Sequence, residues 1–196
     1  MNWYKKAINY FENWDKMKDW FEKRTNNHIK SVQDFCKKIY DYDSEKFKGI
    51  IERGEKHDQS KFKDPEIDPY IYITWKYKCQ DDGKDFNCPE DIDGKMQEAT
   101  EHHVLSNRHH PEFHDGRKNN IINKNDRDAP PDKIIDAASM SDLDIAEMVA
   151  DWCAVGKERG NSPKSWADKN INVRWKFDAN QKKMIYELID AIGKSH

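Results

Sequence analysis

The stretch WYKKAINYFENWDKMKDWF, from Trp3 to Phe21, decides the fold class. Within it Trp3, Ala7, Tyr10, Phe11, Trp14, Met17 and Phe21 recur mostly at three and four, the spacing that lays one apolar stripe along a helix. His28 leads into a second such stripe with Val32, Phe35 and Ile39, so its imidazole is expected to point inward. At the other end Met184, Ile185, Leu188, Ile189 and Ile192 share one side of a helix expected over about 179–192. An all-α fold follows, and 196 residues suffice for one domain with a full core.

Further helices fill the interior of the chain. Asp64-Pro65 and Asp68-Pro69 read as helix stops, and the aromatic run from Tyr70 to Tyr77 reads as a short helix rather than a buried strand. Residues 79–93 read as an acidic surface loop without the residue order of a calcium loop. A helix is expected from about Lys95 to Arg108, and at about 100° per residue Ala99, His103, Ser106 and His110 line up, flanked by His102 and His109. The polar stretch 115–133, closed by Pro130-Pro131, reads as an insertion loop. Ser141, with Asp144 three residues on, starts a helix through Ala154 as an N-cap would.

Composition narrows the function classes. A formal net charge of -3 gives no basic footprint, so duplex nucleic acid is not an expected partner. No hydrophobic run reaches spanning length, and Met1 to Lys6 lacks the apolar core of a signal peptide, so no membrane and a cytoplasmic location are expected. The four cysteines at 36, 79, 88 and 153 show no Cys-x-x-Cys spacing and are expected to be free thiols.

The chemistry lies in the histidines. Five of eight fall between Glu101 and His114, and clustered imidazoles repel when protonated and leave nitrogens unsatisfied when buried neutral, unless something binds them. A metal is the simplest such partner. The order of ligand types is His28, then His57-Asp58, then the histidine block, then Asp151, one turn after Glu147. Imidazole with carboxylate suits divalent iron, manganese, cobalt, nickel or zinc, and magnesium is kept as a further choice. In an adjacent His-Asp pair the side chains diverge, so His57 can serve one ion while Asp58 bridges to a second. His103 and His110 share the Ala99 face and are expected as ligands, with His102, His109 and Glu147 as supports or alternative ligands. Lys61, one turn after His57, is placed to meet a substrate phosphate. His114 and His196 read as surface residues.

These residues carry a resemblance over most of the chain. His28, His57-Asp58 and Asp151 resemble the His…His-Asp…Asp order of the HD-domain superfamily of metal-dependent phosphohydrolases, and His57-Asp58-Gln59-Ser60-Lys61 is similar to its His-Asp-x-Gly-Lys form, with Ser60 in place of Gly. The block from His102 to Phe113 and the segment Glu147 to Trp152 resemble an uncharacterised phage and bacterial branch with paired histidines flanking an Asn. The resemblance implies a helical bundle around a mono- or dinuclear site that hydrolyses a small nucleotide or phosphate ester, in a bacterial cell or phage-infected host. Asp58 and Lys61 would then be the catalytic residues, Asp58 holding two cations that activate water and Lys61 binding a phosphoryl oxygen. Two rivals share the site: an HD-type diiron oxygenase, and a non-catalytic phage protein that sequesters a nucleotide.

Overall fold

The computed structural model describes residues 3–89, 91–119, 121–123 and 129–193, with side chains from residue 13 onward. The expected stripe positions Trp3, Ala7, Tyr10 and Phe11, the residue His196 and parts of the 115–133 loop lie outside these described side chains and residues. The fold is all-α in class. Its helices are α1 (Trp3–Tyr42), α2 (Ile50–Lys56), α3 (Ile67–Asp81), α4 (Ile92–Ser106), α5 (Pro111–His114), α6 (Asp142–Arg159), α7 (Pro163–Asn170) and α8 (Ala179–Ile192). The two stripes at the N-terminus belong to one continuous helix, because nothing between Phe21 and His28 breaks it.

The chain divides into two compact units, Met1–Asn27 with Ser60–His102 and His28–Gln59 with His103–His196. In the first, Met17 and Phe21 of α1 pack with Tyr70, Ile71, Tyr72 and Ile73 of α3 and with Ile92, Met96 and Ala99 of α4. Four consecutive buried residues on α3 show a helix covered on several sides, and this explains an aromatic run that lacks a clean stripe. Asp68-Pro69 does not stop this helix. Pro69 occupies its first turn, where a missing N–H costs nothing because that donor has no intrahelical partner.

In the second unit α6 is the central element, packed by α2, α7 and α8, with Ile145, Ala146, Met148, Val149 and Ala150 all buried. Ser141 and Asp144 form the expected capping box, and the helix runs past Ala154 to Arg159, where Gly160 at φ 68 supplies the left-handed C-cap. On α8 the same five apolar residues picked out by periodicity are buried, each contributing roughly 1.5–3 kcal/mol of burial. Two short strands, β1 (Ile135–Asp136) and β2 (Trp175–Lys176), pair in parallel with Ile135 opposite Trp175. The stretch expected as a polar insertion loop also sends Ile121 and Ile122 into this core.

Close packing of α2 on α1 sets the next level of structure. A Cβ at Gly54 would stand 3.1 Å from Sγ and 3.2 Å from Cβ of the fully buried Cys36, so any side chain there would make its neighbour give by a few tenths of an ångström. That contact lies between His28 on α1 and His57 at the end of α2.

Candidate metal centre

Five elements of the second unit deliver side chains to one place: α1, the end of α2, α4, the turn after α4, and α6. At the end of α2 the chain leaves the helix at His57 and turns through Asp58, whose φ of 56 is left-handed. Asp is among the few residues that tolerate this conformation, and the two side chains do not diverge as expected but meet at their tips, Asp58 Oδ2 3.6 Å from His57 Nε2. Both are 1 % exposed.

The carboxylate of Asp58 divides two groups of imidazoles. Its Oδ2 lies 3.8 Å from Nε2 of His28 and 3.6 Å from Nε2 of His57. Asp151 closes this group, with Oδ1 3.0 Å from Nε2 of His28 and 3.9 Å from Nε2 of His57. Ligands held about 2.0–2.2 Å from one cation stand roughly 3.3–3.6 Å apart in a tetrahedron and about 2.8–3.1 Å apart at adjacent octahedral corners. His28, His57 and Asp58 form a group able to hold a metal ion, its distances slightly wider than those of an occupied shell, and Asp151 stands beside it. On the other side, Oδ1 of Asp58 lies 3.2 Å from Nε2 of His103 and 3.7 Å from Nε2 of His109. The ring of His110 is 4.2 Å from that of His109 and 4.9 Å from that of His103, and His103, His109 and His110 together form a group able to hold a metal ion.

The chain reaches this arrangement by ending α4 early. α4 stops at Ser106, two residues before the expected Arg108, because the Asn107 amide turns back onto the His103 carbonyl at 2.9 Å. Pro111 then bars its predecessor from helical conformation, and His110 is extended at φ -90, ψ 129. His110 is thus not on the Ala99 face of a helix but follows a turn. That turn brings His109 beside Asp58 at 3 % exposure, so His109 stands with His103 rather than behind it.

The tautomers of His57 and His109 suit a cation. Nδ1 of His57 meets Oε1 of Glu147 at 3.0 Å and Nδ1 of His109 meets the same oxygen at 3.3 Å. A carboxylate accepts only from N–H, so these contacts put the proton on Nδ1 and leave the Nε2 lone pair facing Asp58. Among the described residues, Nε2 of His57 is buried with no hydrogen-bond partner, the condition that a ligand relieves. Burial opposes ionisation of Glu147, but hydrogen bonds from His109 and His57 outweigh it and hold the carboxyl well below the usual carboxylate range. Asp151 follows the same logic: burial raises it, and the hydrogen-bonding contact with His28 outweighs burial and brings it down to about 2. The site thus keeps anionic oxygens for a cation. Cys36, close by, is held up at about 12 by burial and stays a thiol.

Two of the expected residues belong to the first unit. His102, on α4, belongs to the first unit, where its Nδ1 lies 2.7 Å from Oε1 of Glu66, a fully buried carboxylate that also accepts from Ser60 Oγ at 2.9 Å. Lys61 belongs to that unit too, its Nζ 5.2 Å from the centre of the Tyr70 ring. Tyr70 and Tyr72 are core residues there. His114 has a side chain only 5 % exposed, so it is not the surface residue that its place at the edge of the block suggests. Arg53 went unremarked in the sequence. It donates from Nε to Glu147 at 2.6 Å and from Nη2 to Asp144 at 2.9 Å, and its position one turn before His57 on α2 was the available signal. All four cysteines are free, and among the described residues no helix is long and apolar enough to cross a membrane.

The chain belongs to DUF5662, a family of unknown function whose model matches residues 17–192. No curated protein and no solved structure matches the chain.

Proposed function

We propose that this DUF5662 member is a metal-dependent phosphohydrolase of the HD type, using two divalent ions that share Asp58 to hydrolyse a small phosphate ester or nucleotide. The observation that carries this reading is the division of one buried carboxylate between two imidazole groups, Oδ2 toward His28 and His57 and Oδ1 toward His103 and His109. His28, His57, Asp58 and Asp151 would hold one ion, and Asp58, His103, His109 and His110 the other. Such ions supply Lewis acidity, lowering the pKa of water and offsetting charge that develops on phosphoryl oxygens.

The residues themselves supply position and charge. Asp58 and Asp151 bring two negative charges to a shell that is otherwise neutral imidazole, so a pair of divalent ions would leave a net positive site suited to an anion. Glu147 keeps the His57 and His109 rings turned with Nε2 inward. Burial of His57, Asp58, His103 and His109 keeps bulk water from competing for these positions. Hydrolysis of phosphate esters or nucleotides is the commonest activity of the superfamily that His57-Asp58 and Asp151 resemble, which ranks it ahead of oxygenation by the same ligand set.

The test is elemental analysis followed by phosphate-release assays on phosphorylated metabolites after reconstitution with zinc, manganese, magnesium or iron. Release under anaerobic conditions with zinc or magnesium is the expected result. Turnover that requires both iron and oxygen would replace the hydrolase with the oxygenase, and tight nucleotide binding without turnover would replace it with the sequestering protein.

A further inference from the structure

We infer that Glu147 and Arg53 form a positioning device that couples the two imidazole groups, so that losing it weakens metal binding on both sides of Asp58 at once. The inference rests on the metal-binding reading above. One oxygen of Glu147 serves one ring from each group, Nδ1 of His57 at 3.0 Å and Nδ1 of His109 at 3.3 Å. Asp58 is the other carboxylate in contact with both groups, and the His57 and His109 rings themselves meet with their centres 4.3 Å apart.

The second oxygen of Glu147 is what fixes the first. It accepts Nε of Arg53 at 2.6 Å, and Nη2 of the same guanidinium reaches Oδ1 of Asp144 at 2.9 Å. Asp144 is fully buried and is itself held from three sides. Arg108 donates to it through Nε at 3.0 Å and Nη2 at 2.9 Å, and Ser141 donates through its hydroxyl at 2.7 Å and its backbone N–H at 3.0 Å. Arg53 therefore cannot swing away from Glu147 without abandoning Asp144, and the planar fork is what spans both carboxylates. Lysine offers one nitrogen and cannot reproduce two divergent bonds. A carboxylate held in this way presents a fixed acceptor to both Nδ1 atoms, and the ring tautomers follow from it.

A purely structural ion pair has the same distances but a different consequence. Removing it would loosen the packing of α2 on α6 without changing which ring nitrogen carries the proton. Two variants of the full chain separate the cases, Glu147→Gln and Arg53→Lys. Glutamine has one oxygen and one NH2 group, so it must turn a donor either toward the imidazoles or toward Arg53. The first readout is nitrogen NMR of the histidine rings in metal-free protein, which distinguishes Nδ1–H from Nε2–H forms. The second is zinc affinity by chelator competition.

Wild-type His57 and His109 are expected in the Nδ1–H form. Glu147→Gln should convert both to mixed tautomers and weaken zinc binding at both positions by roughly 10–100-fold. Arg53→Lys should move both rings in the same direction by less, and the double variant should lose no more than Glu147→Gln alone, because Arg53 acts through Glu147. Unchanged ring tautomers in both variants, or loss of a single ion, would overturn the inference. If wild-type protein binds no zinc, the metal-binding reading fails, whereas the tautomer measurement still decides whether Glu147 and Arg53 orient the rings.

Discussion

His28, His57 and Asp151 come from three helical segments far apart in the chain, whereas His103, His109 and His110 lie within eight consecutive residues. The first group exists only when α1, α2 and α6 are packed together. The second needs little more than the end of α4 and the turn that Asn107 and Pro111 enforce. They differ in chemistry as well, since the first pairs two imidazoles with two carboxylates and the second is nearly all imidazole around a shared Asp58. A metal held by the first group is therefore linked to tertiary folding, and a metal held by the second is linked mainly to local chain geometry.

Asp58 joins the two groups, and its loss should have the largest effect. Asp58→Asn removes the charge and leaves only one oxygen to divide between two groups. The left-handed φ of 56 is as open to asparagine as to aspartate, so the backbone should survive. Elemental analysis should show loss of at least one ion per chain with phosphate release abolished and circular dichroism unchanged. Full metal content in this variant would mean that Asp58 does not bridge.

The two groups can next be taken apart individually. Asp151→Asn should remove the ion linked to tertiary packing, and with it most of the stabilisation that metal confers on melting, about 2.7 kcal/mol at a hundredfold excess over Kd. His110→Ala should also cost one ion but leave most of that stabilisation in place. Melting curves with and without chelator measure the difference. Equal loss of chelator-sensitive stability in both variants would break the distinction between a tertiary and a local site.

A smaller perturbation acts on the first group through helix packing alone. Gly54→Ala places a methyl 3.1 Å from Cys36 Sγ, so α2 must move from α1 by a few tenths of an ångström. Overpacking of this kind costs about 1–3 kcal/mol. The ligand distance across that interface, 3.8 Å from His28 Nε2 to Asp58 Oδ2, tolerates little extra separation. Metal affinity should fall about tenfold at the His28–His57 position, with the His103–His109–His110 position less affected.

Legibility in the sequence followed the same division. Helix α8 and the start of α6 could be read because a 3.6-residue stripe and a Ser-x-x-Asp cap are local signals. The strands β1 and β2 could not, since two residues each are too short to show alternation and their pairing joins positions 40 residues apart. The histidine block stands out by composition, yet the role of His109 is hidden, because helical phasing carried past Asn107 to His110 runs on where the helix has already ended. His28 and Asp151 were found by residue order and resemblance rather than by any local pattern. Arg53 and Asp144 were missed as a pair because 91 residues separate them and each alone reads as an ordinary helix charge.

The finest distinction concerns two neighbours on α4. His103 has Nε2 3.2 Å from Asp58, whereas His102, one residue earlier and about 100° around the helix, has Nδ1 2.7 Å from Glu66. Glu66 is fully buried, and Ser60 and His102 are among the groups that compensate its carboxylate. His102→Ala should therefore cost stability, about 1–3 kcal/mol for a buried acceptor that loses a donor, with metal content equal to wild type. His103→Ala should do the reverse, losing an ion from the second group. His102→Gln offers a control, because its amide N–H can still donate to Glu66 and should restore much of the stability. A drop in metal content in His102→Ala as large as that in His103→Ala would return His102 to the supporting role that the paired sequence first suggested.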